Sequence, residues 1–134
     1  MQKVVAAVIE IDGFFLLCRR HKRSARFPLK WEFPGGKLEK NETPAEALSR
    51  ELKEELGIEI KNSEPLTDYR YRYNNEPEIH LYFFRIRDFE KTVQNRQFDM
   101  IAWVALNDLH RYDILDGDRK LLNILQNRTD ISRG

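Results

Sequence analysis

Residues 36–58 read GKLEKNETPAEALSRELKEELGI, and this stretch decides the fold. Thr43-Pro44-Ala45-Glu46 has the chemistry of a helix start. Threonine can cap, proline suits the first helical position because its missing N–H costs nothing there, and Glu46 at the third position closes a capping box. Gly57 supplies the left-handed conformation that ends a helix. The spacing predicts a helix from about Pro44 to Leu56, roughly three to four turns long. Ala45, Leu48, Leu52 and Leu56 are expected on one face, packed on a sheet. Glu51, Glu54 and Glu55 fall at i, i+3 and i+4, so another face gathers three carboxylates.

Like charges at this spacing repel and weaken a helix. A solvated acidic face is the ordinary meaning of such a pattern. The surroundings favour a different reading. Trp31-Glu32-Phe33-Pro34 runs into Gly35-Gly36, where the backbone can turn sharply and approach a ligand closely. Glu42 and Arg50 flank the acidic face as a potential ion pair. A hard divalent cation with oxygen ligands would offset the repulsion, and Mg²⁺ suits carboxylates, a backbone carbonyl, water and phosphate oxygens.

The fixed positions Gly36, Glu42, Arg50, Glu51, Leu52, Glu54, Glu55, Gly57 and Ile58 follow G-x5-E-x7-R-E-U-x-E-E-x-G-U, with U apolar. In this the chain resembles the Nudix hydrolases, and its G-G-K turn resembles their MutT-like branch. The resemblance implies an α/β/α sandwich with a mixed central sheet, in one domain spanning residues 1–134. It implies Mg²⁺, with Mn²⁺ as the alternative, bound by Glu51, Glu54, Glu55 and the Gly35 carbonyl. Glu51, Glu54, Glu55 and Arg50 form the implied catalytic set, Glu54 and Glu55 being nearest to a base role. Arg50 is expected to hold the loop to the helix through Glu42, without binding metal.

The implied reaction is hydrolysis of a nucleoside triphosphate to monophosphate and pyrophosphate by metal-activated water. A cytidine nucleotide or an oxidised one such as 8-oxo-dGTP is the expected substrate, the latter tying the protein to nucleotide-pool sanitation and DNA repair. ADP-ribose, a dinucleoside polyphosphate or an RNA 5′ end is the alternative, and so is a weakly catalytic nucleotide-binding module. MutT-like relatives carry a further glutamate six residues before the late tryptophan. Counting back from Trp103 lands on Gln97, so that carboxylate is absent or supplied by Asp99.

Four residues are expected to touch the nucleotide. Arg20 lies at the start of the basic run Arg19, Arg20, His21, Lys22, Arg23, Arg26, Lys30, read either as a solvated loop or as phosphate capture. Lys37 follows the glycines. Phe33 can offer its backbone to a base edge. Asp116 in Leu115-Asp116-Gly117-Asp118 can accept from a base N–H or can cap a helix. Trp31 and Trp103 read as core anchors. Tyr69, Tyr71 and Tyr73 alternate at strand period, which suggests one packed, polar-tipped face.

The chain of 134 residues is 41% hydrophobic and 34% charged, suited to one globular core. Its net charge of +1 argues against a nucleic-acid partner. The single cysteine, Cys18, reads as a buried strand residue and fits a reducing compartment. The apolar run Val4–Ile9 is too short to span a membrane, so a cytoplasmic monomer or homodimer is expected. Strands are expected near 3–10, 14–20, 58–62, 66–74, 78–88 and 101–104, with a turn at Asp12-Gly13 and a second helix from Asp118 to Gln126. Strands interleaved with two helices imply a sheet covered on both faces.

Overall fold

A computed structural model describes the backbone over residues 1–133 and side chains over residues 1–127. Strand β1 (Gln2–Val8) is the apolar run at the start of the chain. Its residues are buried on both faces, Val5 and Ala7 to one side, Ala6 and Val8 to the other. That is why it reads as continuous rather than alternating apolar sequence. The short β2 (Glu10–Ile11) turns through Asp12-Gly13 into β3 (Phe14–Arg19), then come β4 (Trp31–Glu32) and β5 (Gly35–Lys37). Helix α1 (Pro44–Leu56) follows, then β6 (Glu59–Tyr71), β7 (Ile79–Glu90) and β8 (Met100–Ala105). Short 3-10 helices at Leu106–Arg111 and Asp116–Asp118 lead into α2 (Arg119–Arg133).

The strands form two four-stranded sheets rather than one. The first runs β5-β1-β7-β6 and is mixed: β1 is parallel to β7 and antiparallel to β5, and β6 is antiparallel to β7. In the second, β2 and β4 pair with opposite ends of β3, and β8 pairs with it along Phe14–Arg19. Residues 59–71, expected as parts of two strands, are one edge strand. Its register slips at Ile60/Asn62, Asn62/Ser63 and Pro65/Thr67. A proline inside a strand is tolerated at such a bulged edge, where no ladder hydrogen bond is lost.

Two apolar clusters lie on opposite faces of the sheets. One holds Val5, Ala7, Ile9, Leu16 and Cys18 under the α1 residues Ala47, Leu48, Leu52 and Leu56. The other holds Val8, Phe15, Leu17, Trp31, Phe33 and Phe83 under Leu121 and Leu125 of α2. The fold is thus an α/β/α sandwich. The buried alanine of α1 is Ala47, and Ala45, in the first turn, is exposed. Trp31 is buried as expected, whereas Trp103 is 38% exposed on β8 and is no core anchor. Cys18 is fully buried, and burial pushes its thiol pKa up. Among the described residues no helix is long and apolar enough to cross a membrane.

Candidate active site

Helix α1 starts and stops on its own chemistry. Thr43 Oγ1 accepts the Glu46 N–H at 3.2 Å, and Glu46 Oε1 accepts the Thr43 N–H at 2.9 Å. Gly57, at φ 69°, closes the last turn with its N–H on the Lys53 carbonyl. The glycine turn is pressed between this helix and β1. A Cβ on Gly35 would stand 2.0 Å from the Val5 carbonyl oxygen, so only glycine fits there. A Cβ on Gly36 would meet the Glu51 carboxyl at 2.6 Å. Backbone and carboxylate therefore share the space that a side chain would occupy.

Arg50 organises the rim. Its Nε and Nη2 bind Glu42 at 2.7 and 2.9 Å, its Nη1 binds Glu51 at 2.7 Å, and Nη2 also reaches the Lys37 carbonyl at 3.1 Å. Hydrogen bonding from Arg50, then from the Glu39 N–H, lowers the Glu42 pKa to about 2. Such a forked grip fixes the glycine turn against α1 more firmly than a point charge could.

The acidic groups differ in exposure. Glu54 is exposed. Glu51 is half-buried, and burial raises its pKa against the opposing pull of Arg50. Glu55 is 4% exposed, with Oε1 accepting the Gly35 N–H at 3.1 Å and Oε2 facing Gln97 Nε2 at 3.4 Å. Burial, then Glu51 and Glu32, push its pKa up to about 9. No cationic side chain pairs with it among the described residues. Nor do any three acidic, histidine or cysteine groups there converge closely enough to enclose a cation as they stand. What the site offers is a donor set of hard oxygens in which an ionised Glu55 has no cationic partner among the described residues, and this fits a divalent cation by chemistry.

A cleft of about 520 Å³ runs from this acidic end past the glycine turn to a second, mixed end. There Phe27 lies 4.7 Å from Tyr73, centroid to centroid, with the Arg26 guanidinium over both rings. Arg26 is tied to Glu76 at 2.5 Å. Phe27 holds a left-handed backbone, φ 50°, a strained conformation for a bulky residue that this packing sustains. Asp118, 6% exposed, accepts the Phe33 N–H at 3.2 Å. Burial, then Glu32, raise its pKa to about 7. Glu32 itself is raised to about 6 by burial, with Arg20 pulling the other way from 3.2 Å.

The segment that carries Asp118 is docked from several sides. Trp31 and Leu115 exchange backbone bonds with it, from the Trp31 N–H to the Asp113 carbonyl and from the Leu115 N–H to the Trp31 carbonyl, both at 2.9 Å. Tyr69 Oη donates to the Gly117 carbonyl at 2.6 Å, and Tyr73 Oη accepts the Gly117 N–H at 2.8 Å. Two of the alternating tyrosines thus use their polar tips to hold Gly117 by both its N–H and its carbonyl. A side chain on Gly117 would collide with the Tyr73 hydroxyl at 2.4 Å.

Of the residues expected from sequence, Arg20, Phe33, Gly35, Lys37, Glu51 and Glu55 line the cleft. Glu54 stands outside it on the same helix, and Arg50 braces it from the rim. Asp116 does not line the cleft: it is exposed and paired with Arg119 at 3.1 Å, and its side chain caps nothing. The 3-10 turn points its neighbour two residues on, Asp118, inward instead. Phe33 offers its N–H to Asp118 rather than to open space. Asp99 is bound by Arg19 Nε at 2.7 Å, so it is Gln97 that enters the cleft. Sequence reasoning missed Asp118, Glu32 and the Phe27–Tyr73 pair. The one available signal was Gly117 beside a buried-type aspartate and opposite a run of alternating tyrosines.

Comparison with known proteins agrees with this geometry. The NUDIX domain model matches residues 1–124. The CTP pyrophosphohydrolase of Escherichia coli K12 is 38% identical over 91% of this chain and 89% of its own length. Nucleoside triphosphatase NudI of Escherichia coli O139:H28 is 34% identical over 90% of this chain and 94% of its own length. The crystal structure of a MutT NUDIX hydrolase from Burkholderia pseudomallei superposes with a TM-score of 0.82 at 26% identity, covering 91% of this chain and 95% of that one.

Proposed function

This chain belongs to the NUDIX domain family and is a Nudix hydrolase, and from that premise we propose that it hydrolyses a nucleoside triphosphate to the monophosphate and pyrophosphate. The observation that carries the proposal is the single cleft joining a carboxylate-rich end to an aromatic, carboxylate-tipped end. The first end suits a phosphate chain with its cation, and the second suits a base. The names of two relatives, a CTP pyrophosphohydrolase and a nucleoside triphosphatase, support the same substrate class.

Asp118 and Glu32 bring acceptors to the base end, where an exocyclic amine or ring N–H would satisfy a buried carboxylate. Phe27 and Tyr73 offer faces on which a base can stack. A cytosine-type base with its amine fits this pocket, and an oxidised deoxynucleotide presenting an N–H is the other member of the class. Lys37, beside the glycine turn, would counter phosphate charge, whereas Arg20 and Arg26 are held at the base end by Glu32 and Glu76.

Glu51, Glu54, Glu55 and the Gly35 carbonyl would hold Mg²⁺, which when bound polarises the phosphates and lowers the pKa of a coordinated water. Arg50 keeps the glycine turn at its distance from α1. Glu54, exposed on α1 outside the cleft, would take the proton from the attacking water. Water adds across the α–β anhydride, its oxygen joining phosphorus as the bridging oxygen leaves. The test is a panel of CTP, oxidised dNTPs, ADP-ribose and dinucleoside polyphosphates with Mg²⁺ or Mn²⁺, scored for pyrophosphate and phosphate. Pyrophosphate release from a triphosphate is the expected result. Turnover of ADP-ribose alone, or binding without release, would sink the proposal.

A further inference from the structure

The loop between β7 and β8 is folded around one side chain. Asn95 Oδ1 accepts the N–H groups of Gln97 and Phe98 at 3.3 and 2.8 Å, and its Nδ2 donates to the Phe98 carbonyl at 2.8 Å. Phe98 is buried, and the Asp99 N–H returns to the Arg19 carbonyl at 2.9 Å. The same loop closes the end of α1. The Gln94 N–H donates to the Leu56 carbonyl at 2.9 Å, and the Arg96 N–H to the Glu55 carbonyl at 3.0 Å. From this fixed frame Gln97 reaches into the cleft, with Nε2 3.4 Å from Glu55 Oε2.

Glu55 is therefore gripped at its carbonyl by Arg96, at Oε1 by the Gly35 N–H and at Oε2 by Gln97. We propose that Gln97 is a positioning residue that fixes the plane of the Glu55 carboxylate through its amide N–H, without adding charge to the group formed by Glu32, Glu51 and Glu55. This rests on the reading of Glu55 as part of the cation-binding face. With Glu55 ionised to bind a cation, a carboxylate at position 97 would set acceptor against acceptor and bring another negative charge next to a buried one. The amide does the opposite, and it works from a loop that Asn95 makes rigid. Groups that orient a metal-binding side chain contribute to affinity although they touch no metal.

Gln97→Met keeps the length of the side chain and deletes its donor, whereas Gln97→Glu keeps its shape and reverses its polarity. The experiment titrates Mn²⁺ calorimetrically into the nucleotide-free protein and both variants, then measures kcat and KM with the preferred triphosphate. Both substitutions are at an exposed position, so melting temperatures should stay within a few degrees of wild type. The expected result is Mn²⁺ affinity weakened about tenfold or more in each variant, with a comparable fall in kcat and little change in nucleotide KM. Unchanged Mn²⁺ affinity and kcat in Gln97→Met would overturn the inference. Tighter Mn²⁺ and faster turnover in Gln97→Glu would also overturn it, and would mark position 97 as a ligand position left incomplete. A wild-type protein that binds Mn²⁺ but hydrolyses no triphosphate removes the proposed function alone, because the titration still reads position 97. One that binds no Mn²⁺ removes the reading of Glu55, and the inference falls with it.

Discussion

Glu55→Gln removes the ionisable group from the best-buried carboxyl side chain of α1 and leaves its shape in place. The glutamine oxygen can still accept the Gly35 N–H, as Glu55 Oε1 does now at 3.1 Å. In the wild type, burial and the neighbouring Glu51 and Glu32 raise the pKa from 4.5 to about 9. A folded-state pKa above the unfolded value means that the protonated carboxyl contributes stability that is complete at acid pH. That contribution is lost as the pH climbs from the unfolded value through about 9. Neutral pH lies about 2.5 units above the unfolded pKa of 4.5, so keeping the buried carboxyl protonated there costs roughly 3 kcal/mol at about 1.4 kcal/mol per unit. Relaxation of the site reduces this, so about 2 kcal/mol of stabilisation is expected in the variant, or roughly 5–10 °C in melting temperature. Thermal melts with a chelator, taken from mildly acid to alkaline pH, measure it. The variant should melt higher, with a gap that narrows toward acid pH and widens toward alkaline pH. Saturating Mg²⁺ should raise the wild type alone, by about 2.7 kcal/mol at a hundred times Kd, and close the gap. A variant less stable than wild type in chelator, or a gap indifferent to pH, would refute the reasoning. It would mean that Glu55 is already ionised and compensated in the folded chain.

Three further changes bear on separate parts of the cleft. Glu54→Gln lies at an exposed position and should melt like wild type while kcat falls about 10²- to 10⁴-fold; wild-type turnover across the nucleotide panel would remove Glu54 from the mechanism. Asp118→Asn can still accept the Phe33 N–H but loses a charge whose pKa burial has raised to about 7. Wild-type KM for the preferred triphosphate should therefore vary with pH around neutrality, and the asparagine variant should lose that dependence and discriminate less between bases. A KM profile with the same pH dependence in both would place Asp118 outside base recognition. Gly35→Ala sets a Cβ 2.0 Å from the Val5 carbonyl oxygen and should lower the denaturation midpoint by the equivalent of more than about 3 kcal/mol. A near-normal midpoint would show that β1 and the turn can part without cost.

The acidic end of the cleft was legible because everything that builds it is local. Capping box, proline, carboxylate spacing and stop glycine all lie within residues 36–58, and each acts on residues a few positions away. The helix accordingly spans Pro44–Leu56, the range its signals predict. The loop carrying Gln97 was placed by counting from Trp103, but the bond to Glu55 and the diversion of Asp99 to Arg19 depend on how the loop folds around Asn95. Sequence alone does not tell Asp116 from Asp118, because it gives no rotation for a single 3-10 turn. Two residues in that turn differ by more than half a revolution, so one aspartate faces solvent and the other the core.

This division follows from what each end would do under the proposed function. Holding a cation requires several carboxylates on one rigid surface, and a helix gathers them at i, i+3 and i+4 whatever the rest of the chain does. Recognising a base requires the reverse: a few polar groups spaced around an apolar pocket, each satisfied and each facing a different edge of the ligand. No single element can surround a base. Here Phe27 comes from the basic loop, Glu32 and Phe33 from β4 and the residue after it, Tyr73 from beyond the end of β6, and Asp118 from the turn before α2. Contacts that bring them together include the Trp31 bridge to Ile114, the two tyrosine hydroxyls on Gly117 and the packing of Phe27 on Tyr73. Those contacts join residues 31 with 114 and 69 and 73 with 117, distances along the chain over which periodicity carries no information. Under the proposed function, the reaction would be inherited through one helix and its preceding turn, while the choice of base would change with any of several loops far from that helix in sequence.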